Sequence, residues 1–259
     1  MDKLEIQGDN PKPRFGHTLN LISKTKAILF GGAIGDSSQY SITNDVFSLD
    51  LNSLSWKKLS PQGKKPSVRA AHASCSIDLY QVLIFGGATG GGGLSSDELF
   101  LLDLKSGEEK ALWIPIEVKG KTPGPRYGHS LVFIKPNIVV FGGNSGNESL
   151  NDVWFMNLER SPYSWNYTDL NKGLEMPPAR VYHAAAVCSS GAANGMMVLF
   201  GGRANDQNAL NDTWGLRKHR DGKWDWVKAP HKNQDQVIPK VRYQVRDFHI
   251  ELSYIHIYI

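Results

Sequence analysis

Long apolar runs are missing from this 259-residue chain. None approaches the roughly 18 residues a membrane-spanning helix requires, so the sequence predicts no membrane span. Cysteine is scarce: Cys75 and Cys188 are the two present, and neither belongs to a Cys-x-x-Cys pair. That spacing argues against a zinc site and against a disulfide. No block of one charge dominates. Lys and Arg number 29 against 25 Asp and Glu, a formal net charge of +4. Lys57-Lys58, Lys64-Lys65 and Arg217-Lys218-His219-Arg220 fall in connecting segments or beside a turn, which argues against a nucleic-acid partner. The opening residues, MDKLEIQGDNPK, are charged and lack the apolar stretch of a signal peptide. The expected setting is intracellular and reducing, cytoplasmic or nuclear.

Signatures of catalysis are missing too. There is no Gly-x-Ser-x-Gly, no His-Glu-x-x-His and no traceable set of metal ligands. The glycine tract at 88–96, ATGGGGLSS, lacks the Gly-Lys-Ser/Thr that would make it a phosphate loop. Neither a cofactor nor a metal is expected. Helical periodicity over a long window is absent as well.

What the chain does have is 26 glycines, 7 tryptophans and a repeat. An apolar run ends on Phe-Gly-Gly four times, at Gly31-Gly32, Gly86-Gly87, Gly142-Gly143 and Gly201-Gly202. The first glycines are 55, 56 and 59 residues apart. Each run is preceded by Arg-x-x-His: Arg14 to His17, Arg69 to His72, Arg126 to His129 and Arg180 to His183. An alternating segment follows each run, as in NDVFSLDL at 44–51, and a tryptophan closes each unit: Trp56, Trp113, Trp165 and Trp226. Internal repeats of this length mark propellers and related arrays. Each unit reads as four short strands separated by turn formers. A lone four-stranded sheet cannot bury both faces, so neighbouring units must stack.

The recurrent residues therefore have structural readings. The glycines suit positive φ and close backbone approach. The phenylalanines and tryptophans suit packing between units. The arginines and histidines can bond backbone near the start of each first strand, or face a ligand, and both readings stay open.

In spacing and markers, residues 13–230 resemble kelch repeats. The resemblance implies an all-β propeller of four-stranded blades: complete repeats at about 13–65, 66–122, 123–176 and 177–238, within one propeller domain over 1–259. A fifth repeat, 239–259, starts with IPKVRYQ at 238–244 and then loses both His and Phe-Gly-Gly. The implied ring is six-bladed or larger, the chain being part of it, with a closed four-bladed ring as the alternative.

Two stretches look more particular. The segment at 123–170 and GLRKHRDGKWDWVKAP at 215–230 resemble the kelch part of protein serine/threonine phosphatases with kelch-like domains. These occur in plants, where they act in brassinosteroid signalling, and in apicomplexan and related protists. The resemblance implies a regulatory or targeting half whose partner domain is a metal-dependent phosphatase. None of the catalytic motifs of that domain, such as Gly-Asp-x-His or Gly-Asn-His-Glu, occurs in this chain.

The expected role is protein binding, with an acidic or phosphorylated peptide as the candidate partner. Loops on a rigid scaffold carry such functions. The loops opening each repeat nominate Arg14, Phe15, Arg126, Tyr127, Arg180 and Tyr182. Those after the glycine pairs nominate Asn144, Asn147, Arg203, Asn205 and Asp206. Alternative readings are a kelch-type metalloenzyme and a scaffold or ubiquitin-ligase adaptor unrelated to phosphatases.

Overall fold

The apolar run before each Phe-Gly-Gly becomes the second strand of an antiparallel sheet. The computed structural model describes residues 6–36, 38–168, 170 and 175–229. Blade one comprises β1 (Thr18–Ser23), β2 (Lys26–Gly35), β3 (Tyr40–Asp50) and β4 (Ser55–Leu59). Blade two comprises β5 (Ala73–Ser76), β6 (Gln81–Phe85), β7 (Leu99–Asp103) and β8 (Leu112–Ile116). Blade three holds β9 (Ser130–Ile134), β10 (Asn137–Asn144), β11 (Ser149–Asn157) and the short β12 (Asn166–Tyr167). Blade four holds β13 (Ala184–Val187), β14 (Met197–Phe200), β15 (Thr213–Lys218) and β16 (Trp224–Lys228). In each sheet consecutive strands pair in order, the up-and-down meander of a β-propeller blade. No α-helix occurs among the described residues.

The chain separates into two compact units. The first gathers blades one and two with Gly124–Tyr127, and the second gathers blades three and four with Lys119–Pro123. In the first unit one core lies between the blades: Ile28, Phe30 and Val46 meet Ile84, Phe100 and Trp113. In the second, Val139, Phe141 and Phe155 meet Leu199, Trp214 and Trp226. Both cores have the same joint. Phe30 of blade one packs edge-on against His72 and Trp113 of blade two, each 5.1 Å away. Phe141 of blade three packs against His183 at 5.3 Å and Trp226 at 5.0 Å, both from blade four. Burying one such phenylalanine contributes about 1.5–3 kcal/mol, with the edge contacts in addition.

The glycine doublet makes this joint close. Gly31 and Gly32 have φ of 64° and 96°, and the β2–β3 register shifts there as a bulge. A Cβ on Gly31 would lie 2.8 Å from the Arg69 carbonyl and 3.0 Å from the His72 ring of the next blade. One on Gly32 would lie 2.8 Å from its own blade's His17. Phe-Gly-Gly and Arg-x-x-His thus recur together because each glycine is pressed against an Arg-x-x-His segment.

The connectors protect outer edges. Gln7–Gly8 pairs parallel to β4, and Gln62–Gly63 pairs parallel to β8. An extended segment on an outer strand removes an exposed sheet edge. One tryptophan departs from the predicted pattern: Trp165 lies just before β12 rather than within it, yet is buried like the other three. The short β12 bonds β11 at only Trp154↔Tyr167 and Phe155↔Asn166. The predicted start of a fifth repeat, 239–259, lies outside the described residues.

Candidate functional site

The loops that open each repeat place one arginine per blade, and the structure turns these side chains inward. Arg14, Arg126 and Arg180 are 7%, 1% and 0% exposed. Their nomination as surface anchors is thereby corrected. A buried guanidinium must satisfy its donors, and blade backbone supplies the acceptors. Arg180 donates from Nε to the Pro178 carbonyl, from one terminal nitrogen to the Gly201 carbonyl at 2.9 Å, and from both to Asp212 at 2.7 Å. Arg14 repeats the pattern with Lys12, Gly31 and Asp45. Arg14 and Arg180 each bond the carbonyl of their own blade's first glycine and the aspartate one residue before the third-strand residue that pairs with the blade's Phe30 or Phe200.

These groups carry shifted acidities. Burial raises the Asp45 and Asp212 carboxyls, but hydrogen bonds from Arg14 or Arg180 and their charges outweigh it and hold both below the ordinary carboxylate range. Burial, with the Arg180 charge, drives the His183 imidazole down to about 3. Its Nε2 meets the Ser130 hydroxyl at 3.0 Å, as His72 Nε2 meets Thr18 Oγ1 at 2.9 Å. Among the described residues no cluster of three His, Cys, Asp or Glu is placed to hold a metal ion.

The other nominated residues divide. Asn205 is spent on structure: its Oδ1 accepts the Ser149 N–H, tying the blade-four loop to the blade-three turn. Asp206 accepts the Asn208 N–H and Asn144 accepts the Gly146 N–H, both closing their own turns. Asn147 is exposed, and Tyr127 is half-buried. Phe15 is 43% exposed and sets its ring edge against Tyr40, which is 46% exposed and which the sequence did not single out. Tyr40 opens β3, and its neighbours Gln39 and Ser41 are exposed as well, so no buried–exposed alternation marked it in the sequence.

Tyr182 and Arg203 come together in the second unit. The Arg203 backbone exchanges two hydrogen bonds with Val181, beside Tyr182. That places the guanidinium 5.8 Å over the Tyr182 ring. Among the described residues Arg203 has no carboxylate partner, and its Nε is buried without a hydrogen-bond acceptor. Tyr182 itself has φ of 58°, in the left-handed region where the matching residues are Gly16, Ala71 and Gly128. A bulky residue held there is a marker of functional constraint.

The stretch at 215–230 contributes in a different way from a binding loop. It forms most of the β15–β16 hairpin, and Trp224 stacks on Phe155 of blade three at 4.4 Å. Arg217 pairs bidentately with Asp225. Its tryptophans are inter-blade packing, while Arg220 and Lys223 stay exposed at the turn.

The family described as KLHDC2/KLHL20/DRC7 Kelch-repeats domain matches residues 16–173. Serine/threonine-protein phosphatase BSL2 of Arabidopsis thaliana is 36% identical over 203 residues, covering 78% of this chain and 18% of that protein. Adagio protein 3 of the same plant is 34% identical over 74% of this chain and 30% of its own length. An F-box/kelch-repeat protein, also from Arabidopsis thaliana, is 29% identical over 82% of this chain and 45% of its own length. The chain therefore spans less than half the length of these relatives.

Proposed function

The chain belongs to the kelch-repeat family, and on that premise we propose that it is the regulatory or targeting part of a protein serine/threonine phosphatase, binding protein through its loops and leaving catalysis to another domain. Similarity to the kelch-bearing phosphatase BSL2 supports the phosphatase assignment. The carrying observation for protein binding is the Arg203–Tyr182 pair: a guanidinium with no carboxylate partner among the described residues, stacked on a strained tyrosine. Arginine and tyrosine are the residue types that dominate binding energy at interfaces. A planar fork of donors with no acid beside it among the described residues suits a carboxylate or phosphoryl group, so the partner is an acidic or phosphorylated peptide. The free thiols of Cys75 and Cys188 suit a reducing setting, the cytoplasm or nucleus.

The F-box and Adagio relatives support a second reading, a scaffold outside phosphatases. Two measurements separate and test these readings. Fluorescence anisotropy with acidic and phosphoserine peptides should show binding that Arg203→Ala weakens about 10–100-fold, the loss typical of an interface hot spot. Co-elution with a metal-dependent phosphatase catalytic domain should follow the same variant. Peptide binding indifferent to both Arg203→Ala and Tyr182→Ala would sink the site, and binding without any phosphatase association would favour the scaffold.

A further inference from the structure

Blade two satisfies its arginine differently from blades one and four. In those blades Nη2 of Arg14 or Arg180 donates to a carboxylate oxygen, of Asp45 or Asp212. In blade two Nη2 of Arg69 donates instead to the Ser67 hydroxyl at 3.2 Å. Its Nη1 keeps the Gly86 carbonyl and its Nε the Ser67 carbonyl, so the rest of the pattern is unchanged. Among the described residues no carboxylate bonds Arg69, although it is as buried as Arg180, both being 0% exposed. Burial, partly offset by Glu98, brings the Arg69 pKa down to about 10, as expected of a charge short of an anion.

Ser67 is also open to an enzyme. It is exposed, and so are Lys64, Lys65 and Val68 around it. Residues 65–67 belong to neither helix nor strand. The Asn44 side chain holds the Pro66 carbonyl, and the Thr43 carbonyl holds the Arg69 N–H, which fixes the chain on either side of the serine. Lys64-Lys65-Pro66-Ser67-Val68 places two cations three and two residues before the hydroxyl and an apolar residue after it. Charge patterns of this kind decide which hydroxyl a kinase with an acidic groove accepts. Lys64 is committed only to the exposed Glu98, a contact worth little. The matching positions in the other repeats are Lys12, Gly124 and Pro178, none of which has a hydroxyl.

The geometry points to Ser67 as a phosphorylation site for a serine/threonine protein kinase that selects basic segments, with Arg69 holding the phosphoryl group. Ser67 Oγ attacks the γ-phosphorus of a nucleoside triphosphate bound by the kinase. The Oγ–P bond forms, and the bond from that phosphorus to the β–γ bridging oxygen breaks. The nucleoside diphosphate leaves with the electron pair, and the hydroxyl proton passes to a base of the kinase. Oγ stays beside Nη2 as the ester oxygen. The phosphoryl oxygens then give Arg69 the anion that Asp45 and Asp212 give Arg14 and Arg180, and tighten the opening turn of blade two. The site uses residues of the first unit alone and does not rest on the peptide-binding reading.

The test treats the full chain with magnesium, ATP and the catalytic subunit of cyclic-AMP-dependent protein kinase. Peptide mapping by mass spectrometry should find phosphoserine at Ser67, and the double variant Lys64→Ala, Lys65→Ala should take up the group at least about tenfold more slowly. Phosphorus NMR reads the contact with Arg69. The second pKa of the phosphoserine should move well below its ordinary value of about 6, because the guanidinium favours the dianion. That lowering should persist in the phosphorylated double variant, which keeps Arg69. The thermal midpoint of the modified protein should rise by about 2–4 °C, and the same treatment of Ser67→Ala should give neither that phosphoserine signal nor the rise. A folded chain that stays unmodified at Ser67, or is modified equally fast without the two lysines, would overturn the inference. So would a phosphoserine that titrates near its ordinary value in either protein, or a midpoint that does not rise, since the group would then lie away from Arg69.

Discussion

At the scale of single residues, the arginines show how one position can be satisfied differently from blade to blade. Asp45 and Asp212 immediately precede the residues that pair with Phe30 and Phe200, and Glu98 holds that place in blade two. Glu98 turns outward to Lys64. Arg69 is left with the Ser67 and Gly86 carbonyls, the Ser67 hydroxyl and the Phe100 ring, and burial, partly offset by Glu98, brings its pKa down to about 10. Glu98→Asp should restore the bidentate pair and stabilise the fold by about 1 kcal/mol, because the exposed Lys64 contact it sacrifices is worth little. A thermal midpoint that fails to rise would show that the shorter carboxylate cannot reach Arg69. His183 sets a pH dependence. Its unfolded pKa is near 6.5 and its folded pKa about 3, so the unfolded chain takes up a proton in this window that the folded chain refuses. Stability on this account is full above pH 6.5 and declines as pH falls towards 3, by up to about 1.4 kcal/mol per pH unit. The depressed Asp45 and Asp212 add their loss only below about pH 4. Urea denaturation of His183→Gln between pH 7 and 4.5 should show a slope shallower by about that amount, and an unchanged slope would mean the ring titrates normally.

At the scale of elements, what the sequence made legible were the features that repeat with their chemistry intact. Strand order followed from apolar runs broken by glycine, and the wedge role of Trp113 and Trp226 followed from their position one per repeat. The inward turn of Arg14, Arg126 and Arg180 was only half legible. An arginine in an opening loop looks like a surface anchor until the glycine carbonyl and aspartate that receive it are seen, and those lie 17 or more residues away in sequence for Arg14 and Arg180. The Arg203–Tyr182 stacking was illegible for the same reason, since Tyr182 and Arg203 meet through a bridge between Val181 and Arg203. A further repeat went unread. Gln7-Gly8 and Gln62-Gly63 are 55 residues apart and lie along β4 and β8. Two polar residues carry no hydrophobic signal, but a Cβ on Gly63 would stand 2.4 Å from the Trp113 carbonyl, and its φ is 90°. Gly63→Ala should therefore lift the connector off β8 and cost roughly 1–3 kcal/mol. With the β8 edge exposed, light scattering should rise with protein concentration; a monomeric variant of wild-type stability would show that the connector does not guard that edge.

At the scale of the whole molecule, each core is built from contacts between two adjacent blades, so perturbations should stay local. Phe30 touches His72 and Trp113, while Phe141 touches His183 and Trp226, with no partner in common. Stability in such a chain is close to a sum of unit and nearest-neighbour terms. Phe30→Ala and Phe141→Ala should each cost about 3–5 kcal/mol, the range for emptying a fully buried aromatic site. Their double variant should equal the sum within about 0.5 kcal/mol, the usual limit for sites without shared neighbours. Amide exchange should place the damage of Phe30→Ala on β2, β5 and β8 and leave β10, β14 and β16 at their wild-type protection. A coupling well beyond that limit in urea denaturation, or loss of protection in blades three and four from Phe30→Ala, would mean that the two cores fold as one cooperative body. Locality bears on the proposed role, because it lets the Arg203 loop respond to a partner without loosening the first unit. The same reasoning makes Arg203→Ala a clean test: its side chain bonds no described neighbour, so the variant should keep wild-type stability within about 0.5 kcal/mol while losing the peptide.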